Sequence, residues 1–207
     1  MAIRGVIFDM DGTLTTMCFD FEAIKAEANV GNIDLLDHLG SVRGAERERI
    51  HRIIVKYEEI AASRTELNRG ARTVLRGLRR RGLPVALLTR NSRRSVDLVC
   101  RRLGLKFDIV VTREDGPYKP NPDPIRRIAK QWGAKPAEVL MVGDYKWDVQ
   151  CATNAGARGV VLVERGELPE WGEDAEFVIR RLTEVLKIVD QESVAAKRFR
   201  GVTGSRE

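Results

Sequence analysis

From Arg69 onward, short apolar runs alternate with amphipathic stretches, and a glycine closes one stretch after another. Residues 71–81, with Val74, Leu75 and Leu78 on one side, stop at Gly82. Residues 92–103, with Val96, Val99, Cys100 and Leu103, stop at Gly104. Residues 124–132, carrying Ile125, Ile128, Ala129 and Trp132, stop at Gly133, and residues 146–155 stop at Gly156. A glycine just past the last apolar position is the expected left-handed end of a helix. Pro124 after Asp123 marks a helix start. Between the helices lie 84–89, 107–112, 139–142 and 159–163, apolar runs without polar alternation. Strands buried on both faces have this composition. The alternation therefore predicts an α/β fold, a parallel sheet covered by helices on both faces, with all strand ends on one edge. Phe177–Ile179 is expected to add a short strand, and Leu182, Val185, Leu186 and Val189 to form one face of a last helix.

The first apolar run stands apart from that series. Residues 6–16 read V-I-F-D-M-D-G-T-L-T-T, so the run ends abruptly in Asp9 and Asp11, then Gly12 and Thr13. Aspartate is a poor strand former and costly to bury unpaired, which places both acids where the strand runs out. Ligands of open α/β sheets bind beyond the carboxyl ends of the strands. Two carboxylates in such a crevice call for a cation, a shared proton, or both.

The segment that follows has no strand pattern. Phe21, Ile24 and Ala28 fit one helical stripe and Leu35, Leu36 and Leu39 another, with Gly31 and Gly40 as punctuation. A longer helix carries Ile50, Ile53, Ile54, Tyr57, Ile60 and Ala61 at helical spacing. The expected division is a catalytic core of residues 1–15 and 69–190 and a small helical cap of residues 16–68, placed to act as a lid. Residues 191–207, polar and basic, are expected to form a disordered tail.

Composition excludes several classes. A chain of 207 residues, 43% hydrophobic and 32% charged, can bury a sizeable core. No run approaches the roughly 18 apolar residues of a membrane span, and the first residues lack an apolar signal stretch. Cys18, Cys100 and Cys151 are widely spaced, without metal-ligand spacing, as expected of reduced thiols in a cytoplasmic protein. Cys18 lies near the Asp pair, but no histidine accompanies it as a base. His38 and His51 fall in the insertion and read as exposed helix residues. The net charge of +6 comes from 36 Lys and Arg against 30 Asp and Glu, with arginine clusters at 79–81, 93–94, 101–102, 126–127 and 180–181. Each cluster lies opposite apolar helix positions and reads as a solvated face. A nucleic-acid surface is the minority reading, lacking interleaved aromatics, zinc spacing or a reading helix. A basic surface can equally draw in an anionic substrate.

Four strand ends collect polar residues. They are Asp9–Thr13, then Thr89-Arg90-Asn91-Ser92, then Tyr118-Lys119-Pro120-Asn121-Pro122 after the third strand, and Gly143-Asp144-Tyr145-Lys146-Trp147-Asp148. In a parallel sheet these loops converge. Carboxylate oxygens suit Mg²⁺, which completes its shell with water and substrate phosphate. Lys119 and a hydroxyl such as that of Thr89 can hold phosphoryl oxygens. A carboxylate can attack phosphorus, and a second one two residues on can protonate the leaving oxygen and then activate water.

With these four motifs in order, the sequence resembles the haloacid dehalogenase superfamily, in its phosphoglycolate phosphatase and β-phosphoglucomutase-like branch with a helical cap after the first motif. The resemblance spans about residues 3–189 and implies a Rossmann-like core. By it, Asp9 matches the nucleophile and Asp11 the general acid/base. Thr89 matches the phosphate-binding threonine, with Arg90 and Asn91 in the same loop, and Lys119 the third-motif lysine. Asp144 matches the direct metal ligand and Asp148 the acid that supports the metal. The family's Mg²⁺ is bound by the nucleophile and by the main-chain carbonyl at the Asp11 position. Dehalogenases of the superfamily typically lack an acid at the Asp11 position, so Asp11 favours phosphoryl transfer. Family phosphonatases carry a catalytic Lys from the cap; Lys25 and Lys56 are unremarkable in placement.

The expected protein is a cytoplasmic, Mg²⁺-dependent phosphomonoesterase, a monomer or homodimer, acting on a small phosphorylated metabolite. The short cap predicts a comparatively open site that handles several esters. A sugar phosphomutase on the same residues is the alternative chemistry, and a non-catalytic protein binding through its basic surface is the alternative class. Tyr145 and Trp147 are bulky neighbours for a metal loop, either lining the pocket or packing at the sheet edge.

Overall fold

A computed structural model describes residues 2–202, with side chains through residue 195. The chain divides into two compact units, one of residues 1–16, 67–90 and 106–207, the other of residues 17–66 and 91–105. In chain order the elements are β1 (Gly5–Phe8), α1 (Phe21–Ala28), α2 (Leu35–Ser41), α3 (Gly44–Arg64), α4 (Ala71–Arg80) and β2 (Val85–Leu88). They continue with α5 (Arg93–Leu103), β3 (Ile109–Val111), α6 (Asp123–Gln131), β4 (Val139–Gly143), α7 (Lys146–Ala155), β5 (Arg158–Leu162), β6 (Phe177–Ile179) and α8 (Glu184–Val202).

The first unit is a six-stranded, wholly parallel sheet in the order β3-β2-β1-β4-β5-β6. Val6 pairs with Val85 on one side and Leu140 on the other, and Phe8 with Leu87 and Val142. Ile7, Ala86, Leu88, Val139 and Met141 form one apolar layer with Ile125 and Ile128 of α6 and Cys151, Ala152 and Ala155 of α7. Successive strand residues point to opposite faces, so Val6, Phe8, Leu87 and Leu140 turn to the side of α4 and α8. There Leu186 lies so close to Gly77 that a Cβ on this glycine would sit 2.7 Å from its Cδ1. The three central strands β1, β2 and β4 are short runs of buried apolar residues because both faces are covered, as the absence of polar alternation predicts, whereas β3, β5 and β6 each carry at least one partly exposed residue. Chain order reverses between β1 and β4, the switch point at which loops of an open sheet diverge and leave a crevice.

The second unit packs α1, α2 and α3 around Ile24, Ala28, Leu35, Leu39, Ile50, Ile53 and Ile54. Asp20 and Asp34 cap α1 and α2 through the amides of Ala23 and of Leu36 and Asp37. Gly31 falls in the connection between α1 and α2, as expected of punctuation, whereas Gly40 lies inside α2, and Asn29, at φ 53°, makes the left-handed end of α1. Asn tolerates that conformation better than other side-chain-bearing residues.

Two further elements differ from the sequence expectation. Helix α5, expected within the core segment 69–190, groups with the inserted helices. Glu58 of α3 accepts the Ser92 amide at 3.3 Å, Arg94 pairs with Glu59 at 2.5 Å, and the Arg102 guanidinium donates to the carbonyls of Ala62 and Thr65. The backbone of residues 191–202, expected to be a disordered tail, continues α8, while residues 203–207 lie outside the described residues. The first turns of this extension are anchored: Arg81 makes a two-pronged pair with Asp190 at 2.7 Å, and Arg158 reaches Glu192 at 2.8 Å. Several clustered arginines bond to carbonyls of the fold, Arg126 to Asn154 and Arg180 to Val163 and Gly166 among them. No helix of the described residues is long and apolar enough to cross a membrane.

Candidate active site

At the switch point, the carboxylates of Asp9, Asp144 and Asp148 each bring an oxygen to within 4.8 Å of the others. Asp9 follows β1, held by its amide to the Val142 carbonyl at 2.9 Å. Asp144 follows β4, and Asp148 sits in the first turn of α7. Lys119, only 3% exposed, donates to Asp9 Oδ1 at 2.6 Å and to Asp148 Oδ1 at 2.5 Å. The peptide bond after it, Lys119–Pro120, is cis. The other Asp148 oxygen, Oδ2, accepts the Tyr145 amide at 3.1 Å. Both Asp148 oxygens are thus engaged within the protein, whereas among the described residues Asp144 Oδ1 accepts a single hydroxyl proton, from Thr13 at 2.7 Å.

Crowding like charges in a buried place moves their proton affinities. Burial above all, with the Asp9 charge added, pushes the Asp144 carboxyl up to about 7. Burial also raises Asp148, with Asp9 adding to it and Lys119 opposing. For Lys119 burial works downward, but Asp148 and Asp9 outweigh it and hold the ammonium well above its ordinary value. Lys119 therefore stays charged, and three acids face one internal cation. An all-oxygen donor set with surplus negative charge fits a hard divalent cation such as Mg²⁺. Asp9 and Asp144 could hold such a cation directly, since both Asp148 oxygens are taken up by Lys119 and the loop amide.

The loop after β1 is folded tightly on itself. The Met10 carbonyl accepts the Thr15 amide at 2.9 Å and the Thr15 hydroxyl at 3.1 Å, and the Gly12 amide reaches the Thr15 carbonyl at 2.7 Å. Gly12 is at φ 80°, and a Cβ there would lie 2.1 Å from Asp144 Oδ2. Gly143 faces Asp148 as closely: its Cβ would sit 2.1 Å from Asp148 Cγ. Gly143→Ala is accordingly expected to expel the Asp148 carboxylate from its place beside Lys119, destabilising the fold by about 1–3 kcal/mol and weakening divalent-cation binding. Thermal melts with and without Mg²⁺ check this; an unchanged Mg²⁺-induced shift in the variant would contradict it.

Of the remaining expected site residues, Thr89 is buried at the end of β2 with its amide on the Val111 carbonyl at 3.0 Å. The Asp11 carboxylate is not part of the three-acid group; it accepts from the Thr15 hydroxyl at 3.5 Å. Arg90 lies with its guanidinium carbon 5.2 Å from the Tyr118 ring centre and 5.4 Å from that of Trp147. Asn91 is the first residue of the second unit after β2.

Sequence reasoning missed Asn68. Its side-chain amide donates to three carbonyls of the aspartate loop, those of Gly12 at 3.0 Å, Thr13 at 2.8 Å and Thr15 at 3.2 Å, and its own backbone amide reaches the Leu14 carbonyl. In the sequence it is one polar residue before Gly70, with no periodicity to single it out.

A family model described as haloacid dehalogenase-like hydrolase matches residues 3–156. The chain is 36% identical over 178 residues to a haloacid dehalogenase-like hydrolase domain-containing protein of Arabidopsis thaliana, covering 79% of this chain and 72% of that one. It is 28% identical to the pyrophosphatase PpaX of Halalkalibacterium halodurans, covering 91% of this chain and 98% of the relative. A crystal structure of a hydrolase from Pseudomonas syringae superposes with a TM-score of 0.77 at 26% identity, covering 91% and 98% of the two chains.

Proposed function

The chain belongs to the haloacid dehalogenase-like hydrolases, and we propose that it is a Mg²⁺-dependent phosphatase that hydrolyses small phosphate monoesters through an aspartyl phosphate. The observation that carries this reading is the buried Lys119 between Asp9 and Asp148, with Asp144 completing a three-carboxylate cluster. Such a cluster, alone, is strongly repulsive; Lys119 and a divalent cation together balance the three carboxylates and leave positive partners facing an incoming phosphoryl group.

In the proposed reaction an Asp9 oxygen attacks phosphorus while the bond to the leaving oxygen breaks. Asp11 gives its proton to that oxygen. A water molecule then attacks the phosphorus of the aspartyl phosphate, Asp11 takes up its proton, and inorganic phosphate leaves with Asp9 restored. Keeping the Asp11 carboxylate outside the three-acid group suits this role, because a proton carrier must not be held as a permanent anion on a metal. Lys119 stays protonated throughout and stabilises charge on the phosphoryl oxygens, and Thr89 adds a hydroxyl donor. The cation supplies neutralisation of the acids and polarisation of the phosphoryl group when bound. Hydrolysis of 4-nitrophenyl phosphate, present with Mg²⁺ and abolished by a chelator, is the expected result; no turnover under either condition would sink the reading. The relative named a pyrophosphatase brings inorganic pyrophosphate into the range of substrates to assay.

The raised carboxyls also make stability depend on pH when divalent cations are removed. Asp144 binds its proton more tightly in the folded chain than in the unfolded one, whose value is near 3.8. The folded state therefore holds more protons between about pH 4 and 7, and stability falls as pH rises through that window. The contribution is on the order of 4 kcal/mol at 1.36 kcal/mol per unit. Asp144→Asn lacks this titration. The stability difference, wild type minus variant, is expected to fall from pH 4 to 7 in chelator and to recover on adding Mg²⁺ at pH 8. Denaturant unfolding across this range checks it, and a flat difference would contradict it.

A further inference from the structure

Every carbonyl from Gly12 through Thr15 accepts a hydrogen bond from one residue, Asn68. Its side-chain nitrogen donates to those of Gly12 at 3.0 Å, Thr13 at 2.8 Å and Thr15 at 3.2 Å, and its backbone amide to that of Leu14 at 3.0 Å. A carboxamide nitrogen carries two hydrogens, so the three side-chain contacts share them. Asn68 itself stands on a firm base. Leu67 beside it makes a β-bridge with Thr15, and the Asn68 carbonyl accepts the amide of Ala71, the buried first residue of α4, at 3.0 Å. The first unit resumes at Leu67, so donor and loop belong to the same compact unit.

The residues held in this way are the ones that touch the acids. Thr13 gives its hydroxyl proton to Asp144 at 2.7 Å, and Gly12 is packed against the same carboxylate. Thr15 is tied to Asp11 three times over: by a β-bridge, by the Gly12 amide on the Thr15 carbonyl at 2.7 Å, and by its hydroxyl at 3.5 Å from Asp11 Oδ1. A trans peptide turns its N–H and C=O to opposite sides. With the Gly12 N–H aimed at Thr15, the peptide plane between Asp11 and Gly12 is fixed, and with it the backbone from which the Asp11 side chain projects. The Thr15 carbonyl that fixes this plane is also one of the three on the Asn68 side chain. Thr13 and Thr15 are fully buried, so their carbonyls have little water to turn to if that donor is lost.

We propose that Asn68 is a positioning residue for proton delivery: by gathering the carbonyls of residues 12–15 it holds Asp11 where its carboxyl meets the leaving oxygen. This rests on the phosphatase reading, in which Asp11 protonates that oxygen as its bond to phosphorus breaks. Asn68 touches no reacting atom and acts through Thr15 and the peptide after Asp11. The requirement is for a donor. An aspartate of the same shape has no N–H and would set a carboxylate against three carbonyl oxygens.

The experiment compares phenyl phosphate with 4-nitrophenyl phosphate, which differ only in the nitro group. The nitro group stabilises the departing phenolate, which then needs little help from an acid, whereas plain phenolate needs its proton. The ratio of kcat/KM, 4-nitrophenyl over phenyl phosphate, is measured for wild type, Asn68→Ala and Asn68→Asp at saturating Mg²⁺. In both variants the ratio is expected to rise at least about 10-fold, within what a positioned general acid contributes. Both rates come from one sample, so a smaller folded fraction lowers them alike and cancels; a merely structural role leaves the ratio where it was. If neither variant folds, as melts would reveal, Asn68→Gln decides, since its amide stands one methylene further out and cannot occupy the same point. A ratio within about 2-fold of wild type in a folded variant, or loss of both substrates alike, overturns the positioning role and leaves the phosphatase standing. A wild-type protein inert toward 4-nitrophenyl phosphate overturns the phosphatase reading and the role of Asn68 with it.

Discussion

Asp9→Asn is expected to lower kcat by about 10⁴-fold or more while the protein stays folded. A carboxamide of the same shape cannot attack phosphorus, so no aspartyl phosphate forms. The surroundings tolerate the change. Lys119 keeps its contact with Asp148 at 2.5 Å, and an amide oxygen can still accept from it where Asp9 Oδ1 now does at 2.6 Å. Next to burial, the Asp9 charge is what lifts Asp144 toward neutral pH. Removing that charge eases the crowding, so the metal-free melting temperature is expected to hold or rise slightly. Steady-state rates with 4-nitrophenyl phosphate in Mg²⁺, beside thermal melts in chelator, check both halves. Activity within about 10-fold of wild type would remove Asp9 from the nucleophile's role; a collapsed fold would show the acid to be structural instead.

Lys119→Met is expected to have the largest effect on stability. The change deletes the cation at the centre of a buried group and leaves Asp9, Asp144 and Asp148 with oxygens within 4.8 Å of one another. Removing one partner of a buried ion pair costs roughly 3–5 kcal/mol, because the other charge stays uncompensated. For a chain of this size that is a fall of about 10 °C in Tm at 2–4 °C per kcal/mol. The deficit should be greatest above pH 7, where the crowded acids are ionised, and shrink below pH 5, where they take up protons. Mg²⁺ should restore part of the Tm, since a divalent cation replaces the lost charge, but not turnover, since the cation cannot replace the donor to the phosphoryl oxygens. A Tm within about 2 °C of wild type at pH 8 in chelator would show that the acids are not held apart by Lys119.

Much of this architecture is legible in residue order because helices and strands have fixed periods. Val74, Leu75 and Leu78 recur at helical spacing, and each falls on the buried side of α4. The closing glycines at 82, 104, 133 and 156 all adopt positive φ, a conformation that a side chain makes unfavourable. The runs that become β1, β2 and β4 are apolar throughout because helices cover both faces, and polar residues begin where that cover ends. Asp9, Thr89 and Asp144 are therefore visible as strand endings, and a parallel sheet brings such endings to one edge. The allegiance of α5 was not legible in the same way. Its apolar stripe of Val96 and Val99 reads alike against a sheet or a helix, and the contacts that settle it come from Glu58, Glu59, Ala62 and Thr65. The end of α8 was equally hidden, since polar residues continue a helix as readily as they form a tail when Asp190 and Glu192 find arginines elsewhere in the chain.

The order of residues alone settles the fold class, the strand ends and the acids on them, since each is written in local spacing and side-chain chemistry. The contacts that tie those acids together required the folded chain. Lys119 is 110 positions from Asp9 and 29 from Asp148, and no local pattern relates them. Asn68 reaches 53 to 56 positions back to grip the aspartate loop. Arg90 and Lys146 share one indole from the ends of different strands. A side chain on a loop takes its direction from its own dihedrals and from what it meets, and what it meets is set only when distant strands align.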